Sequence, residues 1–297
     1  FPYTTLFRSA PPVRKPGEVL IRISAGGICG TDVAIWKWHE AVVGQYAPQF
    51  PLVVGHEFAG TVVASDSPRV RPGAVVAVNP HIACGHCRYC ALGRPTLCDD
   101  RRLMGGRIHG GWTEYVSVPE RNVHPLPQGV DSAVAPLLEP LSVATHAVLE
   151  RVPVRVGDVV VVIGAGPIGI LCAILALSAG ARHVMITGVT EDATRLETAR
   201  KIGAIAVNID AQDPLQMLQS LQADGADIVY ETSGVASTLE QAVGAPLFER
   251  GARRLIPTAQ ALALAEPAAR MLAAAQACAL AADDARLQAA DLAGTVR

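Results

Sequence analysis

An uncharged run from Val159 to Leu177 approaches the length of a membrane-spanning helix, but its internal order excludes one. Val159–Ile163 is a stretch of consecutive β-branched residues, the composition of a strand buried on both faces. Gly164, Gly166, Pro167 and Gly169 then interrupt it, and the Leu/Ala-rich residues to about Ser178 favour a helix. The pattern predicts strand, turn, helix. His183-Val-Met-Ile-Thr187 predicts a further strand, residues 192–202 a further helix, and Asp227-Ile-Val-Tyr230 a fourth element of the same alternation. Alternation of this kind specifies an α/β unit with a parallel sheet.

Gly164-Ala-Gly166-Pro167-Ile168-Gly169 is a G-x-G-x-x-G turn in the context that gives it meaning, after a strand and opening a helix. The first glycine permits the tight turn, the second admits a pyrophosphate, and the third lets helix and strand pack closely, with the helix N-terminus facing the anion. The acid expected at the end of the following strand, which grips the adenosine ribose, is absent; Gly188 stands there. Its loss makes NADP more admissible, with Arg195 placed to approach a 2′-phosphate, whereas Glu191 or Asp192 folding back would serve NAD. The cofactor is NAD or NADP.

With 297 residues the chain has length for two ordinary domains. A net charge of -2 gives no electrostatic reason for a nucleic-acid or membrane partner, and 50% apolar with 4% aromatic residues fits an α/β enzyme acting on small molecules. The ends differ in character. Residues 1–9 show no period and are read as a non-native, adapter-like segment. Residues 245–297 are dominated by Ala, Arg and Leu with few strand formers, as in a frameshifted reading frame or an atypical alanine-rich helix.

Cys84-Gly-His-Cys87-Arg-Tyr-Cys90, closed by Cys98, places four of the chain's seven cysteines within fifteen positions. Four thiolates so spaced surround one tetrahedral Zn²⁺ with no position left for substrate, so this ion holds a loop together. The fourth cysteine is too distant for a ferredoxin run, and no signal peptide supports secreted disulfides.

Three upstream pieces also carry chemistry: Gly27-Ile-Cys29-Gly30-Thr31-Asp32, Val54-Gly55-His56-Glu57 and Leu138-Glu139-Pro140-Leu141-Ser142. Thiolate, imidazole and carboxylate match the shell of a catalytic zinc with one open position. Singly, each has a plain alternative as a buried thiol, a core histidine or a capping acid; jointly with a dinucleotide unit they point to a site.

With these motifs, over about residues 13–245, the chain resembles the zinc-dependent medium-chain alcohol dehydrogenases of the branch containing sorbitol and L-threonine 3-dehydrogenases. That resemblance implies a GroES-like β-barrel catalytic domain over 10–150 with a structural zinc lobe at about 81–103, and a C-terminally incomplete Rossmann NAD(P)-binding domain over 151–260, with a cleft between them. It implies Cys29, His56 and Glu57 as catalytic-zinc positions, Glu139 as a further or exchangeable ligand, and Cys84, Cys87, Cys90 and Cys98 as the structural lobe. Thr31 then stands where the family has a hydroxyl that passes the alcohol proton towards solvent. The implied reaction is hydride transfer from a secondary alcohol (a polyol, sugar alcohol or 3-hydroxy amino acid) to NAD(P)⁺, in the cytoplasm. Residues 35–40, with Trp36 and Trp38, resemble the threonine dehydrogenase stretch near the substrate, although either tryptophan is equally explained as surface packing. Family members are homodimers or homotetramers, and weak assembly is expected of this chain. The alternative is an inactive fragment that keeps zinc or nucleotide binding. His81, His86, His109, His124, His146 and His183 receive no role.

Overall fold

The structure, a computed structural model, describes residues 12–235, 238, 248–250 and 255–257. It divides into two compact units after Val143.

The first unit is built on a five-stranded antiparallel sheet. Its strands are β1 (Glu18–Gly26), β2 (Phe58–Ala64), β3 (Val75–Val78), β6 (Tyr115–Pro119) and β7 (Val123–Pro125), in the order β6-β1-β2-β3-β7. Val19 and Ile21 of β1 and Val116 and Val118 of β6 are buried at every second position, the period of a strand with one face on a core. They pack with Phe58, Val62, Val76 and Val123. Fully burying a side chain of this size contributes about 1.5–3 kcal/mol. β1 carries register shifts at Leu20/Ile21 and Ile23/Ala25, irregularities that increase twist and re-aim the end of the strand. Two short helices follow it, α1 (Gly30–Trp36) and α2 (Glu40–Tyr46).

Between β3 and β6 a short pair, β4 (His81–Ile82) with β5 (Arg102–Leu103), closes the base of a lobe that holds α3 (Arg88–Ala91). Trp36 is exposed rather than packed on the sheet, and Trp38 stacks obliquely on Phe50 with ring centroids 5.7 Å apart. The helix α4 (Leu138–Thr145) begins in this unit.

The second unit is the parallel sheet expected from the alternation. β8 (Val159–Ile163) lies beside β9 (His183–Gly188), with β10 (Ile205–Asn208) outside β9 and β11 (Ile228–Glu231) on the other flank of β8, in the order β10-β9-β8-β11. All three pairings are parallel. Val160, Val162, Val184 and Ile186 face one side and pack with Cys172, Ala173 and Ala176 of α5 (Pro167–Ser178) and with Leu196 of α6 (Ala193–Lys201). Val161, Met185 and Val207 face the other side, against Met217 and Leu218 of α7 (Pro214–Leu221). Burial on both faces explains why the strands read as unbroken apolar runs. β10 and α7, of four and eight residues, were not predicted. Asp213 marks the start of α7 by accepting the Leu215 and Gln216 amides.

β12 (Phe248–Arg250) pairs antiparallel with β13 (Leu255–Pro257), so the tail contains strand where its composition suggested little. The adapter-like segment and the rest of residues 245–297 lie outside the described residues. Among the described residues no helix is long and apolar enough to cross a membrane.

Candidate catalytic, metal and cofactor sites

The pairing of β1 with β2 assembles the first site. Gly26 at the end of β1 lies opposite Phe58 at the start of β2, and the Gly27 amide donates to the Glu57 carbonyl at 2.7 Å. Cys29, three residues past β1, therefore meets His56 and Glu57, which directly precede β2. The ligand atoms of Cys29, His56 and Glu57 all lie within 4.8 Å of one another. Glu139, in the first turn of α4, is outside that triplet but close enough that the charges of His56, Glu57 and Asp32 act on it.

Asp32, one turn into α1, organises the triplet. Its carboxylate accepts the Cys29 amide at 2.9 Å, the Gly55 amide at 3.2 Å and His56 Nδ1 at 3.0 Å, and it is fully buried. With the Asp32 carboxyl oxygen accepting at Nδ1, that nitrogen carries the proton, which leaves the Nε2 lone pair to a metal. Gly55 has φ +91, and a Cβ there would fall 2.1 Å from Trp112 Cδ1, so only glycine fits. Trp112 in turn donates its indole N–H to the Gly27 carbonyl at 3.1 Å, and its amide donates to the Val54 carbonyl at 3.0 Å. One side chain thus ties the Cys29 and His56 segments together. Sequence reasoning assigned no role to Asp32 or Trp112. The position of Asp32 three residues after Cys29, where a helix capping acid belongs, was the available signal for it.

Electrostatics favours a cation here. Burial alone would depress His56, but hydrogen bonds to Asp32 and Cys29 outweigh it and raise the imidazole to about 10 in the metal-free chain. The Cys29 thiol is lowered, first by His56 and then by the Thr31 amide and hydroxyl, against burial. Burial raises both Glu57 and Glu139 against the lowering pull of His56, with Asp32 adding to the rise in both and Glu57 adding to it in Glu139. Three carboxylates and a thiol gathered around one imidazole concentrate negative charge that a dication offsets, and the N/O/S donors suit zinc.

The second cluster is Cys84, Cys87, Cys90 and Cys98, whose sulfurs also lie within 4.8 Å of one another. Cys84 and Cys90 sulfurs are 4.0 Å apart, near the ~3.8 Å separation of thiolates about 2.3 Å from a tetrahedral zinc. Amides of Cys84, Gly85, His86 and Cys87 point at cluster sulfurs at 3.2–3.5 Å and stabilise thiolate charge. Amides of Cys90 and Asp99 lower the Cys87 thiol, while burial and its sulfur neighbours hold Cys90 high. The cysteines among the described residues are free thiols, in keeping with metal binding rather than disulfides. The chain thus has a four-cysteine structural zinc site and a Cys/His/Glu catalytic zinc site.

In the second unit Gly164, at φ +105, turns the chain out of β8, and Gly166 caps α5, which opens at Pro167 and Ile168. A Cβ on Gly169 would fall 2.0 Å from the Gly164 carbonyl oxygen, the close helix–strand approach expected of the third glycine. Thr232 closes the turn from β11, its hydroxyl within 2.9 Å of the Ile163 carbonyl and 3.1 Å of the Gly164 carbonyl. Gly188 ends β9, and Arg195 pairs with Asp192 at 2.8 Å.

Residues 15–128 match the alcohol dehydrogenase GroES-like domain, and residues 167–246 the zinc-binding dehydrogenase family. An L-threonine 3-dehydrogenase of Saccharopolyspora erythraea is 40% identical over 241 residues, covering 78% of this chain and 67% of that protein. A zinc-binding dehydrogenase structure from Sinorhizobium meliloti 1021, bound to NADP, superposes with TM-score 0.71 at 32% identity over 80% of this chain and 69% of that one. A structure from Escherichia coli CFT073, described as a short chain alcohol dehydrogenase complexed with NADH, gives TM-score 0.68 at 31% identity over 78% and 67%. The chain spans about two thirds of the length of these relatives.

Proposed function

The chain belongs to the NAD(P)-dependent, zinc-binding medium-chain alcohol dehydrogenase family, and from that premise we propose that it oxidises a secondary alcohol bearing polar neighbours by hydride transfer to NAD(P)⁺. The observation that carries the reading is the convergence of Cys29, His56 and Glu57, with Asp32 behind them.

Bound at that triplet, zinc supplies Lewis acidity that makes the alcohol proton labile near neutral pH. Cys29 and His56 supply the sulfur and nitrogen donors, Glu57 an oxygen, and Glu139 a further or exchangeable oxygen from α4. Asp32 fixes the His56 tautomer and ring orientation. The Thr31 hydroxyl, beside the Cys29 sulfur, holds the proton leaving the alcohol and hands it towards solvent. The turn of Gly164, Gly166, Pro167, Ile168 and Gly169 binds the pyrophosphate, and Arg195 stands at the adenosine end. Cys84, Cys87, Cys90 and Cys98 hold their loop through a second zinc. The substrate class is a 3-hydroxy amino acid or a polyol. Likeness to L-threonine 3-dehydrogenase supports the first. Likeness to galactitol-1-phosphate dehydrogenase, at 29% identity and TM-score 0.69, supports the second. The proposed location is the cytoplasm, where the thiols stay reduced.

Reduction of NAD⁺ or NADP⁺ dependent on L-threonine or a polyol, abolished by chelation and by Cys29→Ser, is the outcome expected of the dehydrogenase. Absence of turnover in a chain holding two zinc ions and nucleotide would refute the reading.

A further inference from the structure

Where Gly188 ends β9, an acid commonly grips the adenosine ribose of a bound dinucleotide. A Cβ built on Gly188 would lie 3.2 Å from Asp192 Oδ2 and 3.2 Å from the Cβ of Ala165 in the glycine-rich turn. The Asp192 carboxylate therefore lies against the place a Cβ at 188 would take, next to the turn. It reaches that place from four residues on, at the foot of α6.

Its remaining valences suit a diol. Asp192 Oδ2 accepts the Val189 amide at 3.3 Å, and Oδ1 accepts the Arg195 guanidinium at 2.8 Å. A carboxylate offers about four acceptor sites, so about two remain for vicinal hydroxyls. The Asp192 side chain is 19% exposed, enough to be reached and little enough to be held in one orientation. The neighbouring charges are predominantly acidic. Glu191 is exposed, and Asp210 accepts the Thr190 amide and hydroxyl, each at 2.8 Å. Arg195 is committed to Asp192, and Arg200 reaches Glu197 at 3.5 Å.

We infer that Asp192 is the ribose-binding acid of this chain and selects NAD over NADP, with Arg195 acting as the clamp that orients Asp192 rather than as a ligand for a 2′-phosphate. The inference rests on the dinucleotide binding proposed above. A 2′-phosphate offers further acceptors and up to two negative charges to a group that is itself an anionic acceptor, whereas ribose hydroxyls donate to it.

The test is calorimetric titration of the full chain, and of Asp192→Asn, Asp192→Glu and Arg195→Ala, with NADH and with NADPH. The expected result is NADH at least tenfold tighter than NADPH in the parent. Asp192→Asn should narrow that ratio to threefold or less, Asp192→Glu should retain a preference for NADH, and Arg195→Ala should lose no NADPH affinity selectively. NADPH binding as tightly as NADH, an unchanged ratio in Asp192→Asn, or a selective loss of NADPH in Arg195→Ala would each overturn the inference while leaving the dehydrogenase reading in place. Binding of neither nucleotide would remove both. Should Asp192→Asn fail to fold, as judged by its melting curve, the parent ratio and Arg195→Ala decide.

Discussion

Replacing Asp32 by Asn keeps the shape of the side chain and removes its charge, and its three hydrogen bonds fix what must follow. The carboxylate receives the Cys29 amide on one oxygen, and the Gly55 amide and His56 Nδ1 on the other. An asparagine has a single acceptor oxygen. If that oxygen faces Gly55 and His56, its NH₂ opposes the Cys29 amide, donor against donor. If it is flipped, the NH₂ faces His56, and the imidazole must move its proton to Nε2, the atom needed for the metal. Either arrangement loses at least one bond to a charged group, worth about 1.5–3 kcal/mol, and leaves a buried donor unmatched, at a further ~1–3 kcal/mol. Loss of such a partner behind a metal-bound histidine typically weakens binding by about 10–100-fold.

Competition with a chromophoric zinc chelator gives the site affinity, and the expected result for Asp32→Asn is a fall in that range at the Cys29 site with the four-cysteine site unchanged. A change below about threefold would refute the role assigned to Asp32. The pH dependence gives a second readout. His56 in the folded metal-free chain is raised from 6.5 to about 10, so the stability it brings is complete below 6.5 and is lost as pH climbs towards 10. The stability gap between the metal-free parent and Asp32→Asn should close across that window.

Cys98→Ser removes one sulfur from the structural lobe, and the expected result is loss of one zinc per chain with protease cleavage opening within residues 84–98; two retained zinc ions and parent-like resistance would contradict it. Gly169→Val places side-chain atoms where a Cβ alone meets the Gly164 carbonyl at 2.0 Å. Nucleotide affinity measured by calorimetry should fall at least tenfold while zinc content stays at the parent value. His81 has a buried Nδ1 without a hydrogen-bond partner, and burial, with Arg101 and His56 adding, lowers its imidazole from 6.5 to about 4. Its folded form resists protonation, so stability present above 6.5 is lost as pH falls towards 4. In metal-free melts His81→Leu should lose less over that window than the parent.

What could be read from the chain was what is local. β8, α5, β9 and β11 announced themselves because a sheet buried on both faces needs consecutive β-branched residues, and the glycine turn needs glycines at fixed offsets. The zinc lobe was legible because its four ligands lie within one loop. The antiparallel sheet followed only from the family resemblance, since its strands come from distant segments and their alternation alone fits many registers. That register decides the catalytic site, because Gly26 opposite Phe58 is what carries Cys29 to His56. Trp112 illustrates the same limit, as its contacts to Gly27 and Gly55 span long stretches of chain. Asp192 was considered only as one of two acids able to fold back. Its carboxylate beside Gly188 depends on the turn between β9 and α6, which has no strong sequence signature.

X-ray absorption at the zinc edge tests the central claim most directly, because it reports the atoms around the metal without requiring turnover. The account expects two zinc ions per chain and a mixed shell, with sulfur at about 2.3 Å from Cys29 and the four lobe cysteines and nitrogen or oxygen at about 2.0–2.2 Å from His56 and Glu57. A single zinc in a shell of sulfur alone would contradict it.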